Sequence, residues 1–251
     1  HRMRATGDGS SIMTSQKWTL AWHDEFDGPA IDRTRWHVED RYTGESNAEM
    51  EIYTDRPENI RLQNGILVIE ARQETYAGFH YTSGRLTTKG LCSWTYGRFE
   101  ARIKIPLGQG LWPAFWLLGD NISHRGWPAC GEIDIMENIG QTPAAARGTI
   151  HGPGYSGDDG IWSDYILAEG RFADDFHIFA IEWEPGQIRW YVDGNLFSTR
   201  RPQDVGGEWV FEHPFFIILN LAVGGYWPGY PDETTVFPQR LLVDYVRVFQ
   251  R

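Results

Sequence analysis

The stretch Arg98-Phe99-Glu100-Ala101-Arg102-Ile103-Lys104-Ile105 alternates charged and apolar side chains without a break. Successive side chains of a β-strand point to opposite faces, so this period of two predicts a strand with one face buried and the other solvated. Working outward, Ile66–Ala71, Phe176–Trp183, Gln187–Val192, Phe215–Val223 and Leu241–Phe249 are further strand candidates, rich in β-branched and aromatic residues. Asn64-Gly65 and Asp193-Gly194 separate such runs, where a tight hairpin needs positive φ at low steric cost. No window carries an apolar stripe at helical spacing for three turns. Tyr165–Asp175 offers a short helix, interrupted by Gly170. Many strands with frequent Gly/Pro punctuation predict an all-β antiparallel sandwich or barrel.

The chain has 251 residues, with 23 basic against 34 acidic side chains and a formal net charge of -11. No Ser/Gly linker divides it, and residues 16–251 are expected to form one domain. The polar stretch 1–15 lacks a signal-peptide apolar core and reads as an expression remnant, a processed end or a disordered N-terminus. No apolar run approaches the roughly 18 residues of a membrane helix. Acidity and scattered basic residues argue against nucleic acid or an anionic membrane as partner, and favour a neutral ligand. Cys92 and Cys130 form no CxxC pair. They flank segments expected to be neighbours in the sheet, so a disulfide and two free thiols both stay open.

Chemistry concentrates in Cys130-Gly131-Glu132-Ile133-Asp134-Ile135-Met136-Glu137-Asn138, which sets three carboxylates in an apolar β-type run. Glu132 and Asp134 share a face in a regular strand, but Glu137, five residues beyond Glu132, points to the other. A β-bulge at Ile135-Met136 inserts one unpaired residue and returns Glu137 to the carboxylate face. The two glutamates then lie about four strand positions apart, roughly 13 Å between Cα atoms at ~3.3 Å per residue. Leaning together, they reach the ~5–5.5 Å spacing of a retaining glycosidase. A lone acid here would be a solvated strand face, whereas three like charges in a row repel and gain nothing structurally. A metal site is a weak match for this strand, whose alternate carboxylates come without a histidine and without the Asp/Asn/Gly rhythm of a calcium loop.

The Glu132–Glu137 run resembles the E-x-D-x-x-E signature of the family 16 glycoside hydrolases, laminarinase branch. The likeness extends over Trp22–Gly28, Asn47–Tyr53, Tyr96–Ala101, Gly110–Leu118 and Asp244–Val248. It implies a β-jelly roll of two curved antiparallel sheets whose concave cleft holds a sugar chain. Lichenases of that family lack the extra residue, so Met136 points to the β-1,3-glucanase side. By the same resemblance Glu132 is the nucleophile, Glu137 the acid/base and Asp134 the residue that orients the nucleophile. Crowding by Glu132 and Asp134 is expected to keep Glu137 protonated. Asn47, Arg85, Trp112, Trp116 and His151 match polar or aromatic cleft positions. Among the twelve tryptophans, Trp127, Trp162 and Trp227 also lie in Gly/Pro-containing stretches and are potential platforms for sugar rings. Asn220, inside an apolar run, is either a satisfied core amide or a cleft donor.

The implied activity is secreted, endo-acting, retaining hydrolysis of laminarin-type β-1,3-glucan by a monomer. No catalytic cofactor is needed, and a structural calcium is implied at Glu25, Gly65 and Asp244. Mixed-linkage glucanase activity is the nearest alternative. A noncatalytic glucan-binding protein of this fold would lose the glutamates, and both are present. Two further motifs carry nothing: Gly152–Gly157 satisfies GxGxxG without a helix to follow, and Asn121-Ile122-Ser123 is a sequon that matters only on a eukaryotic secretory route.

Overall fold

The alternating stretch lies mid-sheet in a computed structural model that describes residues 17–251; the N-terminal stretch 1–15 lies outside the described residues. In chain order the first strands are β1 (Thr19–Asp24), β2 (His37–Val38), β3 (Glu51–Tyr53), β4 (Ile60–Gln63), β5 (Ile66–Tyr76), β6 (Phe79–Ser83), β7 (Arg85–Thr87), β8 (Gly97–Lys104) and β9 (Leu111–Gly119). The rest are β10 (Glu132–Glu137), β11 (Ala145–His151), β12 (Ile161–Ile166), β13 (His177–Glu184), β14 (Gln187–Val192), β15 (Asn195–Arg200), β16 (Phe215–Val223) and β17 (Gln239–Gln250). One sheet has ten strands, ordered β15-β14-β13-β8-β17-β5-β6-β3, with β1 and β4 added on β17 and β5. The other has seven, ordered β12-β11-β10-β9-β16-β7-β2.

Strict alternation along β8 buries Phe99, Ala101 and Ile103 and leaves Arg98, Glu100, Arg102 and Lys104 partly exposed. Those apolar residues meet Phe115 and Leu117 of β9, Ile133 of β10 and Ile217, Leu219 and Leu221 of β16 in one core between the sheets. Every residue of β16 is buried. Its other face lies under Leu118, Cys130 and Trp116, which explains why its sequence is apolar on both parities.

Both expected hairpins form. Asn64 and Gly65 have φ of 55° and 73°, and Asp193 and Gly194 have 50° and 80°, the paired positive values of a turn whose twist suits a two-residue connection. The expected helix at Tyr165–Asp175 does not form. Tyr165 belongs to β12, where it packs edge-on against Phe197, and only Phe172–Asp174 coils, as a single 3-10 turn. Cys92 and Cys130 are free thiols.

Candidate active site

The bulge expected at Ile135-Met136 is present. Against β9, Asp134 pairs with Trp116 and Met136 with Phe115, so two steps on β10 oppose one on β9. Against β11, Asp134 pairs with Thr149 and Glu137 with Arg147. Ile135 and Met136 both sink into the inter-sheet core, and this anchors the irregularity with apolar contacts. Glu132, Asp134 and Glu137 consequently share the opposite face.

Directly paired residues of antiparallel strands project on the same side, so the register lays out the face as rows across the sheet. One row runs His151, Glu132, Leu118, Phe216. The next runs Trp162, Thr149, Asp134, Trp116, Ile218, Thr87. The third runs Asp164, Arg147, Glu137, Ala114, Asn220, Arg85. Trp112 and Trp116, two alternations apart on β9, lie on this face together.

Each glutamate is held by an indole. Trp112 Nε1 donates to Glu137 Oε2 at 3.0 Å, and Trp127 Nε1 donates to Glu132 Oε1 at 3.0 Å. His151 Nε2 lies 3.1 Å from Asp134 Oδ2 and 3.6 Å from Glu132 Oε2. Among the described residues Asp134 Oδ2 and His151 Nδ1 have no aligned hydrogen-bond partner, so the first of these approaches is a close polar contact without hydrogen-bond geometry. Behind the site, the fully buried Trp190 donates to the main-chain oxygen of Asp134 at 2.9 Å and fixes that residue from the core side.

Burial, followed by the charges of Glu132 and Glu137, raises the Asp134 carboxyl well above the usual carboxylate range. Burial also leads for Glu137, with the charge of Glu132 next, and together they push its pKa up to about 8. Hydrogen bonds from Trp112 and Asp134 and the charge of Arg147 pull the other way. Crowding by Asp134 is therefore not what keeps Glu137 protonated: as a hydrogen-bond partner it favours the charged form. The arrangement supplies a proton donor beside a less buried carboxylate, as two-step acyl or glycosyl transfer needs.

The remaining expected residues are distributed around this centre. Arg85 pairs with Asn220, and its guanidinium lies 5.3 Å from the Trp116 ring centroid. Asn220 accepts from Trp116 Nε1 at 2.7 Å and donates to Tyr53 Oη at 3.2 Å, so it is a cleft-face amide that holds an indole in place. Asn47 is exposed in the 3-10 turn Glu45–Asn47 before β3, where its side chain donates to Glu49 Oε2 and its carbonyl accepts from the N–H of Tyr226, just past β16. Glu132, Asp134 and His151 bring ligand atoms within 4.8 Å of one another. The strand alone offered no histidine; the ladder supplies one from β11.

Two features were not expected from sequence. Arg147 faces Glu137 and is bound by Asp164 through hydrogen bonds of 2.8 and 3.1 Å. Glu51 is fully buried, with Oε1 accepting from Tyr53 Oη and the Val223 N–H. Neither is marked by a motif, since only cross-strand register creates them.

The expected calcium positions converge on β17. Asp24 pairs with Val246 and Leu67 with Val243, so Glu25 and Gly65 approach Asp244 from two strands that share its edge. Arg247 holds the Glu25 carboxylate at 2.5 Å, and Arg102 holds Asp244 at 2.9 Å.

The sequence profile of the family described as Glycosyl hydrolases family 16 matches residues 33–247. A β-glucanase from Rhodothermus marinus is 43% identical over 244 residues, which cover 93% of this chain and 85% of that protein. An endo-β-1,3-glucanase structure from Pyrococcus furiosus is 51% identical with a TM-score of 0.89, covering 93% of this chain and 94% of the other. The laminarinase catalytic domain of Thermotoga maritima MSB8 is 50% identical with a TM-score of 0.90, covering 94% and 99%. With the profile spanning most of the chain and both sheets superposing on these enzymes, the two-sheet sandwich is a β-jelly roll and the chain belongs to family 16 of the glycosyl hydrolases.

Proposed function

We propose that the protein is a retaining endo-glycoside hydrolase that cleaves β-1,3-glucan of the laminarin type. The observation that carries this reading is the bulged strand β10, which gives Glu132 and Glu137 a common face while burial holds the Glu137 pKa at about 8. The similar enzymes are β-glucanases and laminarinases, which supports the substrate class.

In this mechanism Glu132 attacks the anomeric carbon as Glu137 gives its proton to the departing glycosidic oxygen. Trp127 occupies Glu132 Oε1, leaving Oε2 for the attack. Trp112 occupies Glu137 Oε2, leaving Oε1 to carry the proton. In the second step Glu137 takes a proton from water, which displaces Glu132 and restores the original anomeric configuration. Asp134, between the two, orients Glu132. Asn47, Arg85, Trp116 and His151 bind sugar hydroxyls and ring faces.

The oxygen-rich stretch at Glu25, Gly65 and Asp244 suits a structural calcium, with Arg102 giving up Asp244 when the cation binds. Action outside the cell follows from the size of the polymer, and a monomer suffices for it. The test is hydrolysis of laminarin, lichenan, curdlan, agar and carrageenan in parallel, with proton NMR of the first product. Release of β-anomeric reducing ends from laminarin and curdlan is expected. An α-anomer appearing first, or cleavage confined to the galactans, overturns the proposal.

A further inference from the structure

Trp162 is the outermost member of the row that contains Asp134 and Trp116, and 49% of it is exposed. It lies two strand spacings from β10, about 10 Å, far enough for one sugar ring to fit between the bond being cut and this indole. The guanidinium of Arg147 covers one face of the ring, with Cζ 3.5 Å from the centroid. Asp164 holds that guanidinium through two hydrogen bonds, and Arg200 Nη2 pins the adjoining backbone, donating to the Trp162 carbonyl at 2.9 Å and to Ser163 Oγ at 2.8 Å. A large exposed indole is thus clamped from one side in a fixed plane. Arg147 stacks on Trp162 as Arg85 stacks on Trp116, on opposite sides of the catalytic strand. Beside Glu137 a small cavity reaches across to β12, lined by Arg147, Asp164, Thr142 and Trp227.

We infer that Trp162, backed by Arg147 and Asp164, is a subsite platform for the second sugar ring on the leaving-group side. The inference rests on the hydrolase reading above and deepens it. The cavity joins the acid to this side of the sheet, so the ring whose oxygen Glu137 protonates extends toward β12. Because Asp164 neutralises Arg147, the platform suits an uncharged pyranose, whose C–H face stacks on the free side of the indole.

The test uses Trp162→Ala and Trp162→Phe with two substrates. Laminarihexaose places sugars on both sides of the cleaved bond, whereas an aryl β-laminaritrioside leaves the second leaving-group position empty. In Trp162→Ala the ratio of kcat/KM on the hexaose to that on the aryl glycoside is expected to fall about two- to tenfold, the loss of one stacking contact. Trp162→Phe is expected to recover most of the ratio. An unchanged ratio in Trp162→Ala overturns the inference. On the wild-type enzyme, reducing-end-labelled hexaose is expected to release labelled fragments of two or more sugars; predominant release of labelled glucose overturns it independently of any variant. Wild-type protein that cleaves neither substrate defeats the hydrolase reading itself, a result distinct from an intact enzyme indifferent to residue 162.

Discussion

Arg147 stands directly across the β10–β11 ladder from Glu137, close enough for its positive charge to pull down the pKa of a carboxyl group that burial has raised to about 8. Glu137 works as an acid in the first step, so kcat/KM is expected to fall as pH rises through about 8. Arg147→Met removes the cation and leaves Asp164 uncompensated. Both changes favour the protonated form, so the alkaline limb of the pH–rate profile moves to higher pH; a limb that stays in place disconnects Arg147 from the acid.

Replacing Glu132 with Ala is expected to remove turnover while leaving the thermal transition near that of the wild type. Azide then enters from the vacated face and yields an α-glycosyl azide, identifiable by NMR. Replacing Glu137 with Ala lowers hydrolysis of unactivated glucan by about 10²–10⁴-fold. Substrates with acidic leaving groups lose less, because they need no proton.

Trp127→Phe takes away the donor to Glu132 Oε1 but keeps an aromatic ring in place. A hydrogen bond to a charged group contributes about 1.5–3 kcal/mol, so kcat is expected to drop by roughly 10–100-fold. Pre-steady-state kinetics with an aryl glycoside reads whether the loss falls on formation or on breakdown of the covalent intermediate.

Burial, followed by the charge of Glu49, holds the pKa of Glu51 well above the ordinary 4.5. The fold retains a proton that the unfolded chain releases above about 4.5, so this residue's contribution to stability is fully present at low pH and is lost as pH climbs toward the folded value. Glu51→Gln, a neutral isostere, is expected to flatten that part of the stability–pH curve measured by urea unfolding. Glu51→Leu leaves Tyr53 Oη and the Val223 N–H short of an acceptor and costs about 1–3 kcal/mol.

Met136→Ala is expected to cost about 2–5 kcal/mol, because the side chain is fully buried beneath the bulge. Denaturant midpoints measure the loss, and a cost below 1 kcal/mol removes Met136 from the anchoring of that irregularity.

Much of this was legible in the sequence. Gln187–Val192 and Phe215–Val223 coincide with their strands because turn-forming residues bound compact β-type runs. The bulge followed from a parity conflict among three acids, which only a two-for-one pairing resolves. Arg147, Asp164 and Trp162 were not readable as a unit, since the register of β11 against β12 sets their proximity. No motif singled out Glu51, because its burial depends on where β3 packs beside the end of β16. Tyr165 lacked a helical partner pattern, and its aromatic contacts across the sheet edge settled it as strand.

The offset between Glu132 and Glu137 is written into the number of residues that span one pleat of β10. Swapping side chains at 135 or 136 loosens the scaffold but leaves the gauge between the two carboxyl groups unaltered. Only an insertion or a deletion resets that gauge, so the enzyme's reach across a sugar linkage changes in whole-residue steps.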